Sequence, residues 1–164
     1  WHAGFTASRA EKKVRDRLEE LGVECFLPVQ TVLRQWTYRK SRVVVPVIAG
    51  LVFVRVGRQE QVKVLQTKGV VAFLRLKGEA GAAVIPDKQM EDFRFLLDFS
   101  EEAVEMTNEN IKAGDLVRVV KGSLRGMEGE LIRHKGVTKV LVRIDMLGCA
   151  MVNIPASFVE KLNK

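Results

Sequence analysis

The chain is poor in cysteine and histidine, each of which occurs only twice, as Cys25 and Cys149 and as His2 and His134. The cysteines lie far apart, with no C-x-x-C spacing and no ligand cluster beside them, which excludes a disulfide framework and a zinc site and leaves two ordinary buried thiols. Neither histidine has a nucleophile and a carboxylate arranged near it in sequence, so a catalytic triad has no visible parts. The G-x-x-x-x-G-K-[ST] phosphate loop and the G-x-G-x-x-G fingerprint are both missing. A non-enzymatic protein without metal or cofactor is therefore the expectation. Long apolar runs are missing too: the longest uncharged stretch, residues 43–54, sits between Arg42 and Arg55 and is broken by Pro46 and Gly50. A spanning helix needs roughly 20 apolar residues, so no membrane segment is expected. The chain opens at Trp1 without an apolar signal run, and a cytoplasmic location is expected.

What is present suits a folded protein. Hydrophobic residues make up 47% and charged residues 29% of 164, enough for a real core in one large or two small folds. The net charge of +7 favours polyanionic partners, although a basic surface also simply keeps a protein soluble.

The polar, acidic stretch 100–110 lacks sustained periodicity and reads as a linker between a first module, 1–99, and a second, 111–164. In the first, residues 1–5 read as a strand. Ser8 and Glu11 form an S-x-x-E capping box ahead of Ala10, Val14, Leu18 and Leu21, which predicts an amphipathic helix ended by Gly22. A strand over 23–27 stops at Pro28, and a hairpin follows from 32–36 to 42–45 with a basic turn at 37–41. Further elements are a strand at 52–56, a short helix at 59–66 and a strand at 70–76. Pro86 and Asp87 then start a helix on which Met90, Phe93, Leu96 and Leu97 recur at helical spacing. The fold class implied is α+β, an antiparallel sheet sandwiched with helices.

The second module is short, and a small closed barrel is the economical way to bury its valines without open sheet edges. Strands are expected at 116–120, 129–134, 138–144 and 151–154, with a short terminal helix from Pro155 through Leu162. Gly114 and Asp115 open a strand, and Gly122, Gly126 and Gly129 then allow a tight reversal.

The run from Gly114 through Glu130, with its continuation including Ile144-Asp145-Met146-Leu147-Gly148, resembles the KOW motif of SH3-like barrels. The first module resembles the N-terminal domain of the NusG family of transcription elongation factors. The residues that carry this likeness are Trp1, Ser8-Arg9-Ala10-Glu11-Lys12-Lys13-Val14, Phe26-Leu27-Pro28, Pro46-Val47-Ile48-Ala49-Gly50-Leu51-Val52-Phe53-Val54, Gly69-Val70-Val71-Ala72-Phe73-Leu74 and Ile85-Pro86, in the family's order. Within the family, the basic hairpin and the Ile144 to Gly148 wording look most similar to the UpxY-type specialised antiterminators of polysaccharide operons.

The resemblance implies an apolar face that docks on the clamp helices of RNA polymerase. Val47, Ile48, Leu51 and Phe53 align with the family's Pro-x-Phe-Pro-x-Tyr-x-Phe pattern and are expected to point outward; otherwise all four are core. Ile48, Ala49 and Leu51 replace an aromatic, a proline and a tyrosine, so the patch keeps its apolarity but loses aromatic anchors. A second surface would follow DNA near the transcription bubble. Arg9, Lys13 and Arg17 recur at four-residue intervals on the first helix, and Arg39, Lys40 and Arg42 crowd the hairpin turn. Pairing with Glu11, Asp16 and Glu19 is the alternative for the helix. Trp36 and Tyr38 either stack on bases or pack across the strands. The barrel would recruit a second protein or RNA through Lys121, Arg125, Arg133, His134 and Lys135. The expectation is a monomeric elongation or antitermination factor; the alternative is an RNA- or ribosome-associated KOW protein.

Overall fold

A computed structural model describes residues 1–162, with the backbone alone at Arg34 and Trp36. The chain separates into two compact units, Trp1–Pro86 and Asp87 onward.

The first unit runs β1 (His2–Thr6), α1 (Glu11–Glu20), β2 (Glu24–Phe26), β3 (Val29–Trp36), β4 (Arg39–Pro46), β5 (Leu51–Arg55), α2 (Arg58–Gln66) and β6 (Val70–Phe73). Four strands form one antiparallel sheet in the order β2-β5-β1-β6. Val14 and Leu18 of α1, one helical turn apart, and Val64 of α2 pack with Val52 and Val54, which share one sheet face because strand side chains alternate. Burying each such Val or Leu stabilises by at most about 1.5–3 kcal/mol. Helix α1 ends as expected, with Gly22 at φ 75° and the Val23 N–H donating to the Leu18 carbonyl. Its start differs. The capping residue is Ala10, no side chain caps the helix, and Glu11 is its first residue. Arg9 adopts φ 59° and turns the chain just before the helix, which places Ser8 too far back to cap it.

Strand β5 is hydrogen-bonded on both edges, to β1 and β2, and Leu51, Val52, Phe53 and Val54 are all buried. The outward presentation expected of Leu51 and Phe53 is therefore corrected: they are 2% and 0% exposed, and Phe53 stacks on Phe26 with ring centroids 6.3 Å apart. Pairing on both edges leaves the faces to be covered by packing, and here Val52 and Val54 lie against α1 and α2 while Phe53 lies against Phe26 on the other side. Val47 and Ile48 lie half-buried in the connection leading to β5.

Strands β3 and β4 form a separate two-stranded ribbon. It begins and ends beside the β2–β5 pair, and the Val47 N–H donates to the Pro28 carbonyl across its base, 2.9 Å. The ribbon is longer than the expected hairpin and its turn shorter, since the register runs without a break from Val29↔Pro46 to Trp36↔Arg39 and only Thr37 and Tyr38 turn. Arg39, Lys40 and Arg42 are thus strand residues of β4.

The second unit opens with α3 (Asp87–Phe99), then β7 (Glu105–Thr107), β8 (Asp115–Val119), β9 (Glu128–His134), β10 (Val137–Ile144), β11 (Gly148–Asn153), a 3-10 turn (Ala156–Phe158) and β12 (Val159–Lys161). The barrel sheet has six strands in the order β12-β8-β9-β10-β11-β7. Three expectations change here. Helix α3 groups with the barrel instead of the first module: it packs against β10, and Gln89 clasps the next turn by donating to Asp145 Oδ1 at 2.8 Å and accepting from the Asp145 N–H at 2.7 Å. The stretch read as a linker contains β7, which pairs with β11. The terminal segment is a 3-10 turn and a strand instead of a helix, because β12 covers the edge that β8 would otherwise leave open.

Strand β7 is held by a side chain as well as by its ladder. Lys139 of β10 is 5% exposed and its Nζ donates to Glu105 at 2.8 Å. Glu105→Ala would strand that ammonium in the barrel wall; because Glu105 is itself half-exposed, the expected loss is about 1–2 kcal/mol in urea unfolding. Adding Lys139→Met, which keeps the stem and removes the charge, should restore most of it.

Candidate nucleic-acid interface

The ribbon is the most cationic surface element of the first unit. Residues 29–46 contain Arg34, Arg39, Lys40 and Arg42 and no Asp or Glu. Arg39, Lys40 and Arg42 are exposed, and no ion pair is seen for them among the described residues. Cross-strand partners share a face, so Gln35↔Lys40, Leu33↔Arg42 and Thr31↔Val44 put one row of side chains on one side. On that side Leu33 is 62% and Val44 44% exposed, which interleaves apolar and cationic groups in the open. Tyr38, in the turn, is 98% exposed. The side chain of Trp36 lies outside the described residues.

Helix α1 braces this element. The Lys12 ammonium donates to the Val44 carbonyl at 2.9 Å, tying helix to ribbon. Of the three basic residues expected on the helix, Arg9 sits in the preceding turn, Lys13 is exposed on α1, and Arg17 is half-buried with its guanidinium donating to the Lys68 carbonyl at 2.7 Å. Arg17 is thus a link to the turn after α2, which leaves Arg9 and Lys13 as the exposed cations here. Sequence reasoning missed Lys12, whose role depends on a partner 32 residues away, and the exposed row of Leu33 and Val44. The alternation was legible, but which face met solvent was not.

In the second unit, Gly114 directly precedes β8, Asp115 opens it, Gly122 and Gly126 lie in the β8–β9 loop, and Gly129 is in β9. The Gly114 N–H donates to Glu130 at 3.1 Å, and the same carboxylate takes a two-pronged grip from Arg143 at 2.6 and 3.0 Å. Arg143 also donates to the Ile111 carbonyl at 2.9 Å, and its pKa is raised by the Glu130 hydrogen bond. These bonds stitch the approach to β8 onto β9 and β10. Lys121, Arg125, Arg133 and Lys135 are exposed, whereas His134 is mostly covered and bonded to Glu109 at 3.1 Å, so it is not a free basic loop residue. Glu109, in turn, is held below the usual carboxylate range by that hydrogen bond.

A family model described as transcription termination factor nusG matches residues 1–94. The chain belongs to the NusG family. Proteins of this family are transcription factors and not known enzymes, and the chain's role is accordingly in transcription elongation or antitermination. Among solved structures, Thermotoga maritima NusG is 22% identical, with 99% of this chain and 97% of that chain covered and a TM-score of 0.51, which supports the fold. The MjSpt4:Spt5 complex in conformation A is 15% identical over 99% of this chain and 98% of that chain, but at a TM-score of 0.32 the likeness is too slight to carry weight. No curated protein matches the chain. No helix among the described residues is long and apolar enough to cross a membrane.

Gly114→Ala would press a Cβ against the Leu131 carbonyl oxygen and should lower barrel stability by about 2–4 kcal/mol in urea unfolding. Gly126→Ala meets open space and suffers only its φ of 95°, so it should cost about 1–2 kcal/mol. The Cys25 thiol is pushed up to about 11, first by burial and then by Glu19, so it is un-ionised at neutral pH. Alkylation of Cys25 should therefore be slow at pH 8 and accelerate only as the pH approaches about 11.

Proposed function

We propose that the chain binds RNA polymerase through its first unit, follows DNA beside the transcription bubble with the β3–β4 ribbon, and promotes processive transcription of a polysaccharide-type operon. The observation that carries this reading is the family match over residues 1–94, more than half of the chain. The ribbon's lack of acidic residues and its exposed Arg39, Lys40 and Arg42 support the DNA contact, with Arg9 and Lys13 adding phosphate neutralisation nearby.

The polymerase surface in this reading is centred on the half-buried Val47 and Ile48, with Phe5, the 39%-exposed cross-strand partner of Leu51, as a further apolar group. Leu51 and Phe53 are the floor that keeps this region rigid, and not themselves the contact. An interface needs an apolar centre with a polar surround, and these residues supply a small one. The barrel recruits a second protein or an RNA through Lys121, Arg125, Arg133 and Lys135. The likeness of the basic hairpin and of residues 144–148 to the UpxY-type paralogues supports the specialised operon role.

Transcription by purified RNA polymerase through the operon's own leader, with and without the protein, tests the reading; full-length product should rise, and unchanged pausing and read-through would sink it. Lys40→Ala with Arg42→Ala should weaken binding to a bubble-containing DNA and make the logarithmic salt dependence shallower by about 2. Ile48→Asp should abolish co-purification with polymerase while leaving DNA binding intact.

A further inference from the structure

The outer position of the barrel sheet beside β11 is filled by a strand with little hold on the core. Strand β7 is three residues long, none of its side chains is fully buried, and exposed residues flank it at 101–103 and 108–110. Its ladder joins Glu105, Met106 and Thr107 to Met151, Ala150 and Cys149. The place it occupies is nevertheless shaped for a strand. A Cβ at Gly148 would collide with the Thr107 carbonyl oxygen, so β11 is bare where the end of β7 crosses it. The group facing Glu105 is an ammonium: Lys139 is 5% exposed and donates to Glu105 at 2.8 Å, while Glu105 itself is half-exposed. A wall position under a permanent strand is best filled by an apolar side chain, because burying an ammonium carries a desolvation cost that its partner scarcely offsets. A lysine there fits a wall that is covered at one time and wet at another, since withdrawal of β7 returns the ammonium to water.

We propose that β7 is a displaceable cover, held in cis on the outer edge of β11, which closes the barrel to strand addition until it swings away. With β7 withdrawn, β11 presents unpaired N–H and C=O groups along one edge, a template for an extended segment. The segment that replaces β7 is an extended peptide with a carboxylate placed to meet Lys139, as Glu105 does in the closed form. The proposal rests on the reading of the barrel as a recruiting module and adds that its own chain controls access to it. RNA, which cannot continue a backbone ladder, is the poorer ligand for this edge. The exposed stretches on both sides of β7 let it leave without disturbing the buried face of β11.

The test uses the full chain in a Cys25→Ser background, which leaves Cys149 as the only native thiol, with hydrogen exchange followed by NMR. The amides that join β7 to β11 should exchange at least about tenfold faster than those of the β9–β10 ladder. Thr107 lies directly opposite Cys149, where Cα atoms are about 4.5–5.5 Å apart, a span that a disulfide closes. Oxidised Thr107→Cys should therefore slow that exchange to the rate of the β9–β10 ladder, and reduction should restore it. Glu105→Ala should speed it about tenfold, and Lys139→Met added to it should bring the rate back, because the wall is then apolar. A labelled synthetic peptide of residues 102–109 probes the edge by fluorescence anisotropy. Glu105→Ala should bind it about tenfold more tightly than the parent, because its own β7 competes less well, and oxidised Thr107→Cys should not bind it. Exchange in the parent as slow as in the β9–β10 ladder would overturn the cover, since β7 would then open only with the whole barrel. Peptide binding that the disulfide leaves unchanged, or none by Glu105→Ala, would overturn the strand-addition edge. The recruitment reading fails separately, if alanines at Lys121, Arg125, Arg133 and Lys135 leave the protein's effect on transcription unchanged.

Discussion

The first unit is organised around the pairing of β5 on both of its edges. A strand bonded to β1 on one side and β2 on the other has its backbone groups satisfied by its neighbours; its side chains alternate between the two sheet faces, and Leu51, Val52, Phe53 and Val54 are all buried. One face receives α1 and α2 through Val52 and Val54; the other carries Leu51 and Phe53, with Phe26 stacked on Phe53. Because β2 and β5 are neighbours, the chain that leaves β2 at Phe26 must come back beside it at Leu51. The residues between are therefore free to run outward and return as an independent ribbon, closed at the base by the bond from Val47 to Pro28. The position of the candidate DNA surface is thus a consequence of sheet order.

The distribution of charge follows the same logic. Several basic residues serve as braces: Lys12 and Arg17 reach carbonyls of neighbouring segments, Arg143 is locked to Glu130, and Lys139 to Glu105. Of these, the Lys139 ammonium is the group that burial would strand without its partner. Exposed cations are spread over both units, and the ribbon differs in carrying Arg39, Lys40 and Arg42 with no acidic residue over 29–46. A net charge of +7 says little about partners until those internal uses are set aside. In the barrel, the Glu130 carboxylate joins Gly114 of the approach to β8 with Arg143 of β10, and β7 and β12 cover the two outer positions of the sheet.

Elements with strong periodicity and clear end signals were legible from residue types. Helix α1 shows in Val14 and Leu18 with Gly22 beyond them, α3 starts behind Pro86, and the barrel strands lie between glycines that the turns require. Elements defined by a distant partner were not legible. β7 is a three-residue strand whose reason for being extended is β11, and β12 exists because β8 has an edge. The two-residue turn at Thr37 and Tyr38 contains no glycine, asparagine or aspartate, so nothing local marks it, and Arg39 and Lys40 beyond it read as part of the turn.

By itself, the sequence determined the periodic helices, the barrel strands between glycines, the family and the absence of motifs for metal, disulfide and cofactor chemistry, because these depend on residue types at short spacing. Tertiary structure alone decided which apolar residues meet water and which cations are already engaged. The apolar run Leu51 to Val54 does not say which of its residues meet water, and only what packs on the two sheet faces decides it. Lys12 and Lys13 are adjacent and chemically identical, yet one braces the ribbon and the other faces solvent, a difference set by the direction of each side chain around α1 and by what lies opposite it.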